Sequence, residues 1–225
     1  MRELGGVRII SFDVEGTLVT PAFSKVVWHE EIPRLYARRW NLPFERAKEE
    51  VERAYDEIGD KRMEWYDIKY WFRRFDLSDY REALRRCAHK IERYPEVEEV
   101  LSSLGRKFTL IISSGSAREF LEFLLQGIEG HFAAVFSSVS DFKEIKNPGF
   151  YLKICRILGV EPGEIAHVGD SFDFDYLAPR SVGIKAFHLD REDARGGNPE
   201  TVRDLWEFAS LILRGCCQEG EKGIC

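Results

Sequence analysis

The chain has no long apolar run. Its longest, such as Phe108 to Ile112, falls far short of the about 20 residues that a membrane helix needs, and the opening Met1-Arg-Glu-Leu-Gly carries no apolar segment of a secretion signal. A soluble, cytoplasmic protein is the expectation, with no membrane partner. An excess of positive charge is missing too. Against 33 Lys and Arg stand 39 Asp and Glu, a formal net charge of −6, and no basic stripe is present to neutralise a phosphate backbone. Nucleic acid is therefore excluded as an expected partner. Cysteine is scarce and odd in number, at 87, 155, 216, 217 and 225, so no disulfide framework is implied. Cys87 and Cys155 fall on helix faces that read as buried, where a free thiol is common. The tail from Gly215 to Cys225 contains no histidine and matches no zinc-site spacing, so a frayed terminus is expected there. Internal repeats and low-complexity segments are absent.

What is there is a folded globular composition: 225 residues, 44% hydrophobic and 13% aromatic, enough for one large domain or a core domain carrying a smaller insertion. Residues 7–12, Val-Arg-Ile-Ile-Ser-Phe, form a short β-branched apolar run ending in Asp-Val-Glu-Gly-Thr, the pattern of a buried strand leading into a glycine turn. From Pro21 to about Tyr94 the spacing turns helical. Trp28, Ile32, Leu35 and Tyr36 share one face, then Ala47, Val51, Ala54, Tyr55 and Ile58, then Trp65, Ile68, Phe72 and Phe75, then Tyr80, Leu84, Cys87 and Ile91. Pro43, Gly59-Asp60 and Leu77-Ser-Asp punctuate them, which predicts an all-helical insertion of about four helices over 19–94.

Beyond Tyr94-Pro95 the pattern alternates. Strands are expected at 108–112, 133–136, 165–168 and 184–189. Between them come helices carrying Val97 to Leu104, Phe120 to Leu124 and Phe150 to Leu158, and a short helix after Asp173 that Pro179 keeps brief or kinked. A last helix is expected from Asn198-Pro199, burying Val202, Leu205, Trp206, Ala209, Ile212 and Leu213. Strands alternating with helices mean an α/β fold, a doubly wound parallel sheet built from 1–18 and 95–225, with the helical segment inserted into it.

Ligands of such a sheet bind outside the carboxyl ends of its strands. Those ends carry Asp13-Val-Glu15-Gly-Thr17, Ser113-Ser114-Gly115, Lys146 after the third strand, and Gly169-Asp170-Ser-Phe-Asp-Phe-Asp175. Their order and spacing resemble the four motifs of the haloacid dehalogenase superfamily, over nearly the whole chain, and the insertion looks like that superfamily's helical cap. Arg180, Gly183 and Leu189-Asp190-Arg191 fit the capped hydrolases as well.

The resemblance implies a magnesium-dependent hydrolase of a small phosphate monoester. Asp13 would be the nucleophile, forming an aspartyl-phosphate. Glu15, two residues on and on the same side of the strand, would protonate the leaving oxygen and later take a proton from water. The cation would rest on Asp13, the main-chain carbonyl of Glu15 and Asp170, with Asp175 behind them holding a water or Lys146. The Ser113 hydroxyl, the Ser114 amide and Lys146 would bind the phosphoryl group. Lys143 competes with Lys146, which is favoured because Pro148 opens a helix just beyond it. Thr17 is expected to brace the turn through its hydroxyl, and His167 to be packed into the sheet without a catalytic part. Phe23, Lys25 and Arg118 are candidate substrate readers by position, and the cap is expected to open and close over the site.

The sequence departs from the common pattern at three points. Glu15 stands where most phosphatases of the superfamily have aspartate, although enolase-phosphatases carry the same Asp-x-Glu-Gly-Thr. Ser114 stands where asparagine is frequent, and Asn147 separates Lys146 from Pro148. Two alternatives remain. One is a 2-haloacid dehalogenase, which needs no metal and usually has tyrosine at the Glu15 position. The other is a non-catalytic binding protein on the same fold. A monomer and a homodimer are both compatible with the sequence.

Overall fold

A computed structural model describes residues 5–192 and 200–220, with side chains to residue 215. Six parallel strands form one sheet in the order β3-β2-β1-β4-β5-β6. They are β1 (Ile9–Phe12), β2 (Thr109–Ser114), β3 (Ala134–Ser137), β4 (Ile165–Gly169), β5 (Lys185–Leu189) and β6 (Thr201–Val202). β1 sits near the centre, and all four of its residues are buried because helices cover both faces. Alternation decides where they go: Ile10 and Phe12 enter one core cluster, Ile9 the other.

From Ala22 to Cys87 the chain holds helices and their connecting turns, with no strand. That stretch comprises α1 (Ala22–Val26), continued through a π-helical turn (Val27–Glu31) into α2 (Ile32–Trp40), then α3 (Phe44–Ile58), α4 (Ile68–Arg74) and α5 (Tyr80–Cys87). The expected punctuation holds. Asn41 ends α2 in the left-handed conformation, while Asp67 and Asp79 cap α4 and α5 by accepting from the Lys69 and Glu82 amides at 2.9 and 3.0 Å. Trp28, Tyr55, Trp65, Trp71 and Phe75 pack ring to ring, with Tyr55 edge-on to Trp71 at 4.6 Å. The chain leaves and re-enters the sheet through one paired crossing, where Thr20 N–H donates to Glu92 O at 2.8 Å and Tyr94 N–H to Leu18 O at 3.2 Å.

The remaining helices are α6 (Val97–Gly105), α7 (Arg118–Leu124), α8 (Ser138–Asp141), α9 (Pro148–Leu158), α10 (Ala178–Ser181) and α11 (Leu205–Gly220). The brief helix expected after Asp173 is a π-helical turn (Phe172–Leu177) running into α10, with Pro179 in its first turn. None of the described helices is long and apolar enough to cross a membrane.

The carboxyl-terminal expectations need correcting. Asn198 and Pro199 lie outside the described residues. Val202 is not helical: it pairs with Leu189 in β6, and α11 begins only at Leu205, where Asp204 accepts from the Glu207 amide at 2.7 Å. Trp206 is 46% exposed, its indole N–H donating to Glu99, and the buried ring on that face is Phe208. Ile157, among the apolar residues of the helix that Pro148 opens, is 60% exposed. Of the tail expected to fray, residues 215–220 continue α11, and 221–225 lie outside the described residues. Cys87 and Cys155 are buried free thiols, as expected.

Candidate active site

Asp13 is the first residue past β1. Its amide still donates to Val168 O at 3.0 Å, so the sheet ladder fixes its backbone, and the chain then turns at once, with Leu18 and Val19 amides both donating to Val14 O. Gly16 makes this turn possible. Its φ is +74°, and a Cβ there would lie 2.1 Å from Oδ2 of Asp170, at the end of β4. The turn after β1 and the carboxylate after β4 are therefore in direct contact.

Lys146 reaches the same place from the loop before α9. Asn147 caps that helix, accepting from the Phe150 amide at 3.1 Å, and Pro148 occupies its first turn. Lys146 immediately precedes this cap, and its side chain is buried, with Nζ donating to Asp13 Oδ1 at 2.8 Å and to Asp175 Oδ1. Lys143 is exposed and takes no part.

Asp175 has both oxygens engaged. Oδ2 accepts from the Ser171 amide at 3.1 Å, and Oδ1 takes His167 Nε2 at 3.0 Å as well as Lys146. The Tyr151 hydroxyl lies 3.3 Å from the same oxygen and 2.8 Å from Phe174 O. His167, expected only to fill space, is thus part of the site's support. Its Nδ1 meets Ser11 Oγ at 2.9 Å, and Ser11 Oγ lies 2.7 Å from Ser113 Oγ. Burial lowers the imidazole pKa, which keeps the ring neutral despite Asp175 beside it.

Ser113 accordingly sits behind the site with its hydroxyl turned to Ser11, whereas Ser114 lines the cavity. Ser116 is a residue that the sequence reading missed. Its hydroxyl donates to Glu15 Oε2 at 3.0 Å, and its own carbonyl accepts from Ser137 Oγ at 2.7 Å. The only sequence hint was its place in the polar turn after β2.

Carboxylate oxygens of Asp13, Asp170 and Asp175 lie within 4.8 Å of one another. Crowding of like charge shows in their protonation. Burial, and then Asp175, raise the Asp13 carboxyl above its usual range, with Lys146 opposing. Asp170 stands at the rim, its side chain open to solvent but hemmed in by protein atoms. That enclosure, with Asp13 and Asp175 adding to it, pushes its carboxyl up to about 7. Burial would also raise Asp175, but Lys146 and His167 outweigh it and hold this carboxylate ionised. For Lys146, burial works against the charge, and Asp13 and Asp175 override it. One ammonium among three carboxylates leaves an uncompensated negative site made wholly of hard oxygen donors, which fits a magnesium ion. Glu15 stands apart from that cluster. Burial raises its carboxyl too, and the serine hydroxyls nearby oppose the shift only in part.

A family model for haloacid dehalogenase-like hydrolases matches residues 7–183. The chain belongs to that family. It is 28% identical over 226 residues to a phosphoglycolate phosphatase of Chromobacterium violaceum, covering 93% of this chain and 98% of that protein. Among solved structures, a HAD phosphatase from Thermococcus onnurineus superposes with a TM-score of 0.81 at 28% identity, over 92% of this chain and 98% of the other. A 2-haloacid dehalogenase from Pseudomonas syringae shares the fold at a TM-score of 0.67 and 21% identity, over 92% and 99% of the two chains.

In this haloacid dehalogenase-like hydrolase the carboxylates open into a cavity of about 310 Å³. Its far wall comes from the helical insertion, with Trp28, Trp65 and Tyr66, and from Phe120 of α7. The three substrate readers expected by position are not there. Phe23 is fully buried between Phe120 and Phe123, Lys25 is exposed away from the cavity, and Arg118 is held by Asp141 at 2.6 and 2.8 Å.

Arg191, after β5, braces the Asp13 turn. It donates to Gly16 O at 3.2 Å and Thr17 O at 2.8 Å, lies 3.4 Å from the Tyr94 ring centre and pairs with Glu96 at 2.8 Å. The brace expected from the Thr17 hydroxyl is therefore made by its carbonyl instead; the hydroxyl itself is buried without a partner among the described residues.

Proposed function

We propose that the chain is a magnesium-dependent phosphomonoesterase acting on a small phosphorylated metabolite, with Asp13 as nucleophile. The observation that carries this reading is the convergence of Asp13, Asp170 and Asp175 within 4.8 Å at the carboxyl edge of the sheet, with Lys146 bridging Asp13 and Asp175. Magnesium, held by Asp13, Asp170 and the main-chain carbonyl of Glu15, would supply positive charge against the phosphoryl oxygens.

The protein's own groups perform the rest. The Asp13 carboxylate attacks phosphorus as the ester P–O bond breaks, giving an aspartyl-phosphate and an alcohol. Glu15 gives its proton to the departing oxygen. A carboxyl raised by burial is suited to that task near neutral pH. Glu15, now ionised, takes a proton from a water that attacks the acyl phosphate, releasing inorganic phosphate and restoring Asp13. Lys146 keeps Asp13 ionised and offsets its repulsion of an anionic substrate. Ser114 and its neighbours at the β2 turn contact the phosphoryl group, and Ser113 joins them if its hydroxyl turns from Ser11. Residues 19–94 serve as the cap on a core of 1–18 and 95–225, since Trp28, Trp65 and Tyr66 form the roof over the carboxylates.

The dehalogenase alternative leaves Glu15 without a task, because halide departs without a proton. Hydrolysis of p-nitrophenyl phosphate with and without magnesium, on wild type beside Asp13→Asn, tests the proposal. Metal-dependent turnover lost in the variant supports it, and halide release from 2-chloropropionate without phosphatase activity overturns it. Silence in both assays also overturns it and leaves a binding protein.

A further inference from the structure

We infer that the ester group accepted by this cavity is uncharged and apolar, a single ring or short branched chain, and not a carboxylate-bearing phosphate such as the one for which the Chromobacterium violaceum relative is named. The inference rests on the phosphomonoesterase reading and concerns the half of the cavity that the phosphate leaves free.

Three observations carry it. The first is the wall. Trp28 and Phe120 lie stacked, 5.3 Å apart and 13° from parallel, and Trp65 adjoins Tyr55 at 5.7 Å in the same aromatic cluster. Rings locked into a packed cluster present a fixed apolar face without ordering anything further on binding. The second is size. At about 310 Å³ the cavity stands at the small end of ligand sites, which run from about 300 to 1,000 Å³. An apolar void of about 150 Å³ already holds benzene, so the space has room for phosphate and one ring. The third is charge. Four acids, Asp13, Glu15, Asp170 and Asp175, face the cavity with Lys146, whose ammonium already donates to two of them. Lys146 is the only lysine or arginine among the described lining residues, and Arg118 and Lys69 are engaged elsewhere, with Asp141 and Glu119. A carboxylate on the ester group, beside a phosphate that already takes up the magnesium charge and Lys146, would enter a partly desolvated chamber with no further cation among the described lining residues.

Benzyl phosphate and phosphoglycolate are both esters of primary alcohols, so comparing kcat/KM for the pair in magnesium isolates recognition from leaving-group ability. The expected result is a preference for benzyl phosphate of at least about tenfold. Trp65→Ala should shrink that ratio while a thermal melt confirms folding; an unchanged ratio in the folded variant counts against the inference. Equal or better use of phosphoglycolate overturns the inference and leaves the phosphatase reading intact. If neither ester is hydrolysed while p-nitrophenyl phosphate is, the phosphatase reading stands; in that case, as when all three are inert and that reading fails, calorimetric titration of wild type with both esters in magnesium decides the inference. Tighter binding of benzyl phosphate by at least about tenfold upholds the apolar site, and equal affinities overturn it.

Discussion

Replacing Gly16 by alanine separates the chemistry of this site from its stability. The new Cβ would lie 2.1 Å from Asp170 Oδ2 and 2.5 Å from its Cγ, on a backbone held at φ +74°. Left-handed backbone costs a non-glycine residue about 1–2 kcal/mol. The clash adds little to this, because it involves the free end of a short side chain at the rim, which can rotate away. Rotation has its own consequence. To move from 2.1 Å to an ordinary contact of about 3.5 Å the carboxylate must retreat by about 1.4 Å. Magnesium demands oxygen ligands at about 2.0–2.1 Å in near-octahedral array, and a misplacement of about 1 Å in a catalytic group costs about 100-fold in rate. Gly16→Ala should therefore lose only about 1–2 kcal/mol in urea denaturation, while kcat/KM falls about 100-fold and the calorimetric magnesium affinity falls with it. Wild-type turnover and magnesium affinity in a variant carrying the small stability loss would refute the assignment of Asp170 to the cation.

Other consequences are as direct. Lys146→Met strands Asp13 and Asp175, both buried, and should destabilise the protein by about 3–5 kcal/mol in urea at neutral pH, less at lower pH where those carboxyls take up protons. Glu15→Gln should slow hydrolysis of an alkyl phosphate by about 10²- to 10⁴-fold and of p-nitrophenyl phosphate far less, since nitrophenolate leaves without a proton; equal losses would remove Glu15 from the acid role. Asp170, pushed up to about 7, and Asp13, raised likewise, bind protons more tightly folded than unfolded. Their contribution to stability is thus fully present below the unfolded carboxyl value of about 4 and is lost as pH rises toward about 7. Magnesium binds the ionised forms, so it should raise the Tm more at about pH 8 than at about pH 5.5, and equal shifts would contradict the charge crowding described above.

Five strands were legible because buried parallel strands read as short, largely apolar runs set between helical stretches, and β1 to β5 lie where those runs are. β6 was not. Val202 has helical spacing to Leu205 and Ala209, and only its pairing with Leu189, a contact across the sheet edge, makes it a strand. Trp206 and Ile157 fit their helix periods equally well, and neighbours that happen to leave them uncovered decided their exposure. The choice of Lys146 over Lys143 was readable from the helix start at Asn147-Pro148, a local signal.

Sequence alone determined which carboxylates stand at strand ends and in what order. In a parallel sheet that suffices to gather them along one edge, because every strand points the same way. Tertiary structure alone decided the rest: that Gly16 must yield space to Asp170, that His167 supports Asp175, that Ser113 turns back while Ser116 reaches Glu15, and that aromatic rings roof the site. Each of these is a distance between residues on separate elements, as with Asp13 and Lys146, 133 positions apart and 2.8 Å from contact to contact. Periodicity records which face of an element is apolar, but nothing in it records which other element that face will meet.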